Sequence, residues 1–374
     1  MRWGWCGWFL VSACVLGVPR VQALSAPVPA ILIEASTGQV LTETSADRAV
    51  AVSSLGQLMI VLLSVEQANL GVLPLNVPIT IGPSVAGAAG AGGRIALRGD
   101  RTYLLSELIK AILVTSAPEA AVAVGEAISA TVENCVEAMN ARAVKLGMTG
   151  TRFRGLASQP HGPAGAAAVG STTPRDMARL ARALVGDDNV IHWASVGGIP
   201  FDEANTVLRN RNRLVGVFPG ADGLVTVEDK GHYGIIATAV RDNLRLIAVI
   251  LDAPSSDVRY ELAIGMLEWG FAGYERLDVV RRGERLNVSV RVDNGASEYV
   301  TPVAGTSFSL IQPREQSNDL VLRYQVPPQV DAPLARDQSV GEVIIEQEGR
   351  LVGVVPAIVP NDIGVRSFLT AAGR

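Results

Sequence analysis

Apolar and polar positions along this chain fall into successive textures, each with its own period. Short strand-like runs come first, at Ala30-Ile31-Leu32-Ile33-Glu34 and Gln39-Val40-Leu41-Thr42, with turn chemistry at Ser36-Thr37-Gly38 between them. That arrangement predicts a hairpin. From Ser54 to Leu70 the pattern is apolar and helical, and Gly71 stands where a helix C-terminus favours glycine. A loop rich in Gly and Ala runs from Gly82 to Gly93; it has neither the lysine nor the strand–turn–helix setting of a phosphate loop. Helical stretches dominate from Leu104 to about Leu184. Within them Thr173-Pro174-Arg175-Asp176 reads as a helix start, with a cap, proline at N1 and an acid at N3. Strand character returns at Gly223–Glu228, then Ile235–Val240 and Leu244–Leu251 form a second hairpin around Arg241-Asp242-Asn243. A helix from Val258 to about Phe271 closes the unit. Two strands at the start and three at the end predict one antiparallel sheet flanked by helices, an α+β architecture in which the chain ends meet.

From about Arg276 the texture changes. Leu286 to Val292, Leu320 to Val326 and Val343 to Glu346 alternate with period two, turn residues interrupt them, and no helical period intervenes before Pro360. This predicts a small all-β second domain. The expected organisation is therefore residues 24–275, a β domain over 276–360 and a short tail over 361–374. The tail's scattered Ile363, Val365, Phe368 and Leu369 are too few for an amphipathic anchor. At the other end, Arg2, the apolar run Trp3–Val18 and Val21-Gln22-Ala23 read as a signal peptide over residues 1–23, cleaved after Ala23. An uncleaved anchor helix and a lipobox at Val11-Ser12-Ala13-Cys14 are the alternatives. Each places the protein outside the cytoplasm, in the periplasm or on the outer face of the cytoplasmic membrane.

Composition changes the picture in three respects. With 374 residues, 48% hydrophobic and few of them aromatic, the chain can bury a sizeable core. Its net charge is −4; losing Arg2 and Arg20 with the leader makes it −6, which gives no basic footprint for nucleic acid. Cys6 and Cys14 fall in the leader, so Cys135 alone remains and no intrachain disulfide can form. Cys135 shares helical spacing with Val132, Met139 and Ala143, the signature of a buried small hydrophobe. His161 and His192 show no metal spacing, so neither a metal nor another cofactor is expected.

Several local phrases resemble the low-molecular-mass penicillin-binding proteins, the D-alanyl-D-alanine carboxypeptidases of peptidoglycan maturation. They are Ile31 to Leu41, Ser54-Leu55-Gly56-Gln57-Leu58-Met59, Leu146-Gly147-Met148-Thr149-Gly150-Thr151, Ser171 to Leu184, Asn210-Arg211-Asn212-Arg213-Leu214-Val215 and Pro219-Gly220-Ala221-Asp222-Gly223. The matches run nearly the length of the chain. The resemblance implies a serine β-lactamase/penicillin-binding-protein-like sheet flanked by helices, with a small all-β domain after it. It also implies a chemistry carried by Ser-x-x-Lys, Ser-x-Asn and Lys-Thr-Gly motifs. In that chemistry a lysine one helical turn after the nucleophilic serine takes its proton. A second serine and an asparagine relay protons and hold the substrate amide, the last lysine attracts the terminal carboxylate, and the final glycine leaves room for substrate along the strand.

This chain departs from all three. The first motif reads Ser54-Leu55-Gly56-Gln57, with an amide for the base; the second reads Ser116-Ala117-Pro118; the third reads Val225-Thr226-Val227. Only Ser54 and Ser116 among the catalytic positions, and Thr226 among the substrate-binding ones, keep the family identity, while Gln57, Pro118, Val225 and Val227 are altered. General-base help is worth roughly 10²–10⁴ in rate, and a charge-assisted carboxylate contact about 1.5–3 kcal/mol, or roughly 10–10² in binding. Losing both costs on the order of 10³–10⁶.

The retained residues also have a structural reading. Ser54 with Gln57, and Ser116 with Glu119, fit the S-x-x-E/Q capping box, and Thr226 suits a strand. Glu228, Lys230 and His232 lie just past the third motif, as a solvated strand end or within reach of the cleft. Arg209, Arg211 and Arg213 form either a solvated loop or a basic lining of that cleft. Two functions follow. One is an impaired carboxypeptidase homologue that binds peptidoglycan or muropeptides, or scaffolds a cell-wall protein partner through its β domain. The other is an active D-alanyl-D-alanine carboxypeptidase or endopeptidase using Ser54 in an altered site. A purely structural envelope protein is the third and weakest reading.

Overall fold

The computed structural model describes residues 27–366, apart from 52, 83–84, 86–93, 100, 157–169, 202–205, 230 and 317–318. The leader, most of the Gly- and Ala-rich loop, His161, Lys230 and the end of the tail therefore lie outside the described residues.

In chain order the first part of the fold comprises β1 (Ala30–Glu34), β2 (Val40–Thr44), α1 (Gln57–Asn69), α2 (Leu105–Thr115), α3 (Pro118–Ser129), α4 (Val132–Lys145), α5 (Pro174–Leu184) and α6 (Asp188–Ala194). A hairpin of β3 (Gly198–Phe201) and β4 (Thr206–Arg209) follows, then β5 (Ala221–Asp229), β6 (His232–Arg241), β7 (Leu244–Ala253) and α7 (Ser256–Gly273). The main sheet has the order β5-β6-β7-β1-β2 and is antiparallel, as the two-plus-three strand pattern predicts. Its closure is the pairing of β1 with β7, from Ala30 opposite Ile250 to Glu34 opposite Leu246. Asp242 and Asn243 both take positive φ (49° and 62°) in the two-residue turn between β6 and β7. That backbone matches the twist of a tight hairpin, and short polar side chains tolerate it best among non-glycine residues.

Period two along these strands divides the core. Ile31, Ile33, Ile247, Val249, Val225 and Val227 face one cluster, formed with α1 and α2 among others. Leu32, Ile235, Leu246, Ala248 and Ile250 face a second, closed by Ala263, Leu267 and Phe271 of α7. A sheet buried on both faces explains why its strands read as continuous apolar runs. Local signals are realised where their partners are local. Gly71 (φ 72°) follows α1, and Thr173 caps α5 by accepting from Asp176 N with Pro174 at the first position. Cys135 is fully buried beside Met139 and Ala143, and burial pushes its thiol up to about 11.

Beyond α7 the described residues form strands and turns only. Strands Leu320–Gln325, Ser339–Gln347 and Arg350–Ile358 pair antiparallel, and Tyr274–Val280 pairs with Phe308–Pro313. The strand expected over Leu286–Val292 forms only from Val290 to Asp293. Val288 N–H donates to the Leu286 carbonyl, 2.8 Å away, so the chain turns there. Leu286 enters one apolar cluster and Val290 another, and that division replaces straight alternation. Residues past Pro360 still join this part, through bridges from Leu334 to Ile363 and from Gly295 to Val365. Among the described residues no helix is long and apolar enough to cross a membrane.

Candidate functional site

Ser54 lies in a short 3-10 turn, Ser53–Gly56, that leads directly into α1. The capping box expected at Ser54 and Gln57 does not form: the N-cap position falls to Gly56, with no side-chain hydrogen bond. The reason is geometric. A capping serine needs extended backbone ahead of the helix, whereas Ser54 is already inside a helical turn. Gln57 becomes the first α-helical residue, 2% exposed, and neither its amide oxygen nor its amide nitrogen has a hydrogen-bond partner among the described residues.

The second expected box is also displaced by tertiary structure. Ser116 ends α2 in the left-handed region (φ 55°, ψ 46°), with its N–H donating to the Ile112 carbonyl at 2.8 Å. A left-handed serine costs on the order of 1 kcal/mol. Its hydroxyl donates to the Thr226 carbonyl on β5 at 3.1 Å, so the fold does bring Ser116 and Thr226 together. Ala117 is the N-cap of α3 and Pro118 occupies its first turn, where no donor is needed. Glu119 reaches elsewhere: its carboxylate, fully buried, accepts from Arg94 N at 2.6 Å and from Ile95 N, and its second oxygen has no partner among the described residues.

Burial pushes the Glu119 carboxyl above its usual range, against the opposing pull of its backbone hydrogen bonds and of Arg94. Burial and the like charge of Arg211 pull the Arg94 guanidinium down, while Glu119 and Glu228 push it up. Because the folded carboxyl holds its proton to higher pH than the unfolded one, the folded state binds more protons between those two values. Stability therefore falls as pH rises through that window. Replacing Glu119→Gln is expected to flatten this dependence, so that the variant gains on the native chain between pH 4.5 and 7.5. Urea midpoints at the two pH values measure it, and parallel pH dependence in both proteins would remove Glu119 as the cause.

On β5 the third motif is buried throughout: Val225 is 4% exposed, Thr226 3% and Val227 8%. Both valines belong to the apolar cluster that includes Leu55 and Leu58. Val227 pairs with Gly234 of β6, and its Cγ2 lies 2.7 Å from where a Cβ at Gly234 would stand. Val227 thus fills space that the neighbouring strand leaves open at Gly234. Thr226 serves as a strand residue as well as through its carbonyl.

Charge around the motif comes from arginines. Arg211 stands 3.5 Å from Glu228, and Arg213 donates to Ser256 Oγ at 2.9 Å and lies over the Tyr260 ring. Arg209, Arg211 and Arg213 are all exposed, and only Arg211 pairs with the strand end. His232 pairs with Asp252, which Arg48 also contacts. Sequence reasoning placed Glu119 only as a cap partner of Ser116, and it missed Arg94 and the buried Arg259, which donates to the carbonyls of Val227 (2.7 Å) and Gly234 (3.3 Å). The run of alternating arginines gives no signal for Arg259, which sits on a helix 32 residues from the carbonyl it supports.

The chain has three lysines, Lys110, Lys145 and Lys230. Among the described residues no hydrogen bond joins Ser54 to a basic side chain, and no group of His, Cys, Asp or Glu could hold a metal ion. Lys230 lies outside the described residues, and neither Lys110 nor Lys145 is hydrogen-bonded to Ser54.

Comparison with known proteins agrees with the fold. The chain is 26% identical over 353 residues to D-alanyl-D-alanine carboxypeptidase DacF of Bacillus subtilis, covering 92% of this chain and 88% of that protein. It is 29% identical over 353 residues to DacC of Escherichia coli, covering 90% and 84%. Crystal structures of penicillin binding protein 5 from Haemophilus influenzae (TM-score 0.71, 24% identity, 91% of this chain and 98% of that one) and of PBP3 from Streptococcus pneumoniae (0.75, 22%, 90% and 99%) share the architecture. Residues 274–364 match the penicillin-binding protein 5 C-terminal domain. Residues 18–255, more than half of the sequence, match the D-alanyl-D-alanine carboxypeptidase family, and the chain belongs to that family.

Proposed function

We propose that this protein is an exported, catalytically impaired carboxypeptidase homologue that binds peptidoglycan peptides or scaffolds a wall protein. One observation carries the reading: a buried amide at Gln57 and a buried isopropyl group at Val225 stand where the family has its two lysines. Neither can take a proton from Ser54 or attract an anionic peptide end, and the joint loss of about 10³–10⁶ leaves turnover below use. Arg2, the apolar run Trp3–Val18 and Val21-Gln22-Ala23 support export by a leader over residues 1–23. A unit over 24–275 carries the vestigial cleft, a β domain over 276–360 offers the scaffolding surface, and a short tail over 361–374 completes the chain. The rival, an active carboxypeptidase using Ser54, draws support from the retained Ser116–Thr226 link.

Fluorescent penicillin separates the two. The native chain is expected to show no stable label while remaining on isolated sacculi. Labelling that disappears in Ser54→Ala would establish the rival, and absence of both label and retention would leave neither.

A further inference from the structure

Away from the cleft, a cavity of about 290 Å³ opens between α2, α6 and the β3–β4 hairpin. Its volume is at the small end of ligand pockets. Its apolar walls include Trp193, Val196, Ile199 and Phe201. Phe201 stacks on the buried Tyr103, with centroids 5.5 Å apart and planes 9° from parallel, and Trp193 is 8% exposed. Lys110 of α2 sits over the Trp193 ring at 5.5 Å, half-buried, and has no carboxylate partner among the described residues. Glu107, one turn earlier on the same face, has one oxygen accepting from Leu104 N at 2.8 Å. His192 also lines the cavity.

A half-buried ammonium with no carboxylate paired to it among the described residues, at the edge of a cavity with flat apolar walls, complements a molecule with an anionic head and a planar body. We propose that this cavity is a binding site for a small aromatic carboxylate, its carboxylate on Lys110 and its ring between Trp193 and Phe201. The proposal is independent of what the cleft does, because it uses none of the residues of the three motifs. The interaction with Lys110 should contribute on the order of 10–10²-fold in affinity.

Isothermal titration of the full chain with 2-naphthoate and with its uncharged isostere 2-naphthamide, in a buffer free of carboxylates, tests this. Saturable binding of the acid is expected, at least about tenfold weaker for the amide. The preference should vanish in Lys110→Met, survive in Lys110→Arg, and binding of both should be lost in Ile199→Trp, which fills the cavity without touching the charge. Equal affinity for acid and amide, no saturable binding, or an acid preference that persists in Lys110→Met would each overturn it. Should Lys110→Met fail to fold, the acid-over-amide preference of the native chain and its loss in Ile199→Trp decide alone.

Discussion

Val225→Lys is expected to lower the stability of the chain by about 3–5 kcal/mol rather than to restore activity, because it places an ammonium without a partner in an apolar cluster. Val225 is 4% exposed and packs among residues of α1 and of the sheet. A lysine there would titrate well below its unfolded value, since burial disfavours the charged form. The folded state would then bind fewer protons than the unfolded state at neutral pH, so the variant's stability should rise as pH rises. Urea denaturation at pH 7 and pH 9 reads both effects. An unchanged midpoint would mean that the new side chain finds water, and the cleft would then be open enough for peptide. Since the motif groups act as a unit, activity is expected only when Gln57→Lys, Pro118→Asn, Val225→Lys and Val227→Gly are combined, if the core survives the combination.

Gln57→Leu should act in the opposite direction. Neither polar atom of this buried amide has a partner among the described residues, and leaving a buried polar group unsatisfied costs about 1–3 kcal/mol. A leucine of similar volume removes that cost, so the variant is expected to gain about 1–3 kcal/mol, seen as a raised midpoint in urea. Penicillin labelling should be unchanged, since the amide takes no proton. Destabilisation by this substitution would show that the amide is bonded to ordered water, and the site would be a polar network in place of a dry remnant.

The sheet was legible because its determinants repeat. Ala30–Glu34 and Leu244–Leu251 are apolar at nearly every position, as strands buried on both faces must be, and the two-plus-three distribution forces the chain ends together. Gly71 and Thr173-Pro174 were legible because caps are decided within a turn. Ser54-x-x-Gln57 shows where local reading stops. The same four residues satisfy a capping box or a 3-10 lead-in, and choosing between them takes contacts that the tetrapeptide does not contain. Ser116 is a similar case: its hydroxyl goes to a carbonyl 110 residues away. Glu119 holds backbone 24 and 25 residues upstream, and no period or spacing announces such a bond. The altered motifs were readable residue by residue, while the burial of Val225 and Val227 that makes their restoration costly belongs to the packed sheet.

The strand Ala30–Glu34 lies between Val40–Thr44 and Leu244–Ala253, and its second neighbour arrives more than two hundred residues later in the chain. Contacts at such sequence separation form late, because a long loop must be closed before they give any return. During synthesis the first strand is made early and kept waiting, with one edge unsatisfied, until Leu246 to Ile250 are available. A polypeptide arranged this way can complete its central sheet only after more than two hundred further residues have been made.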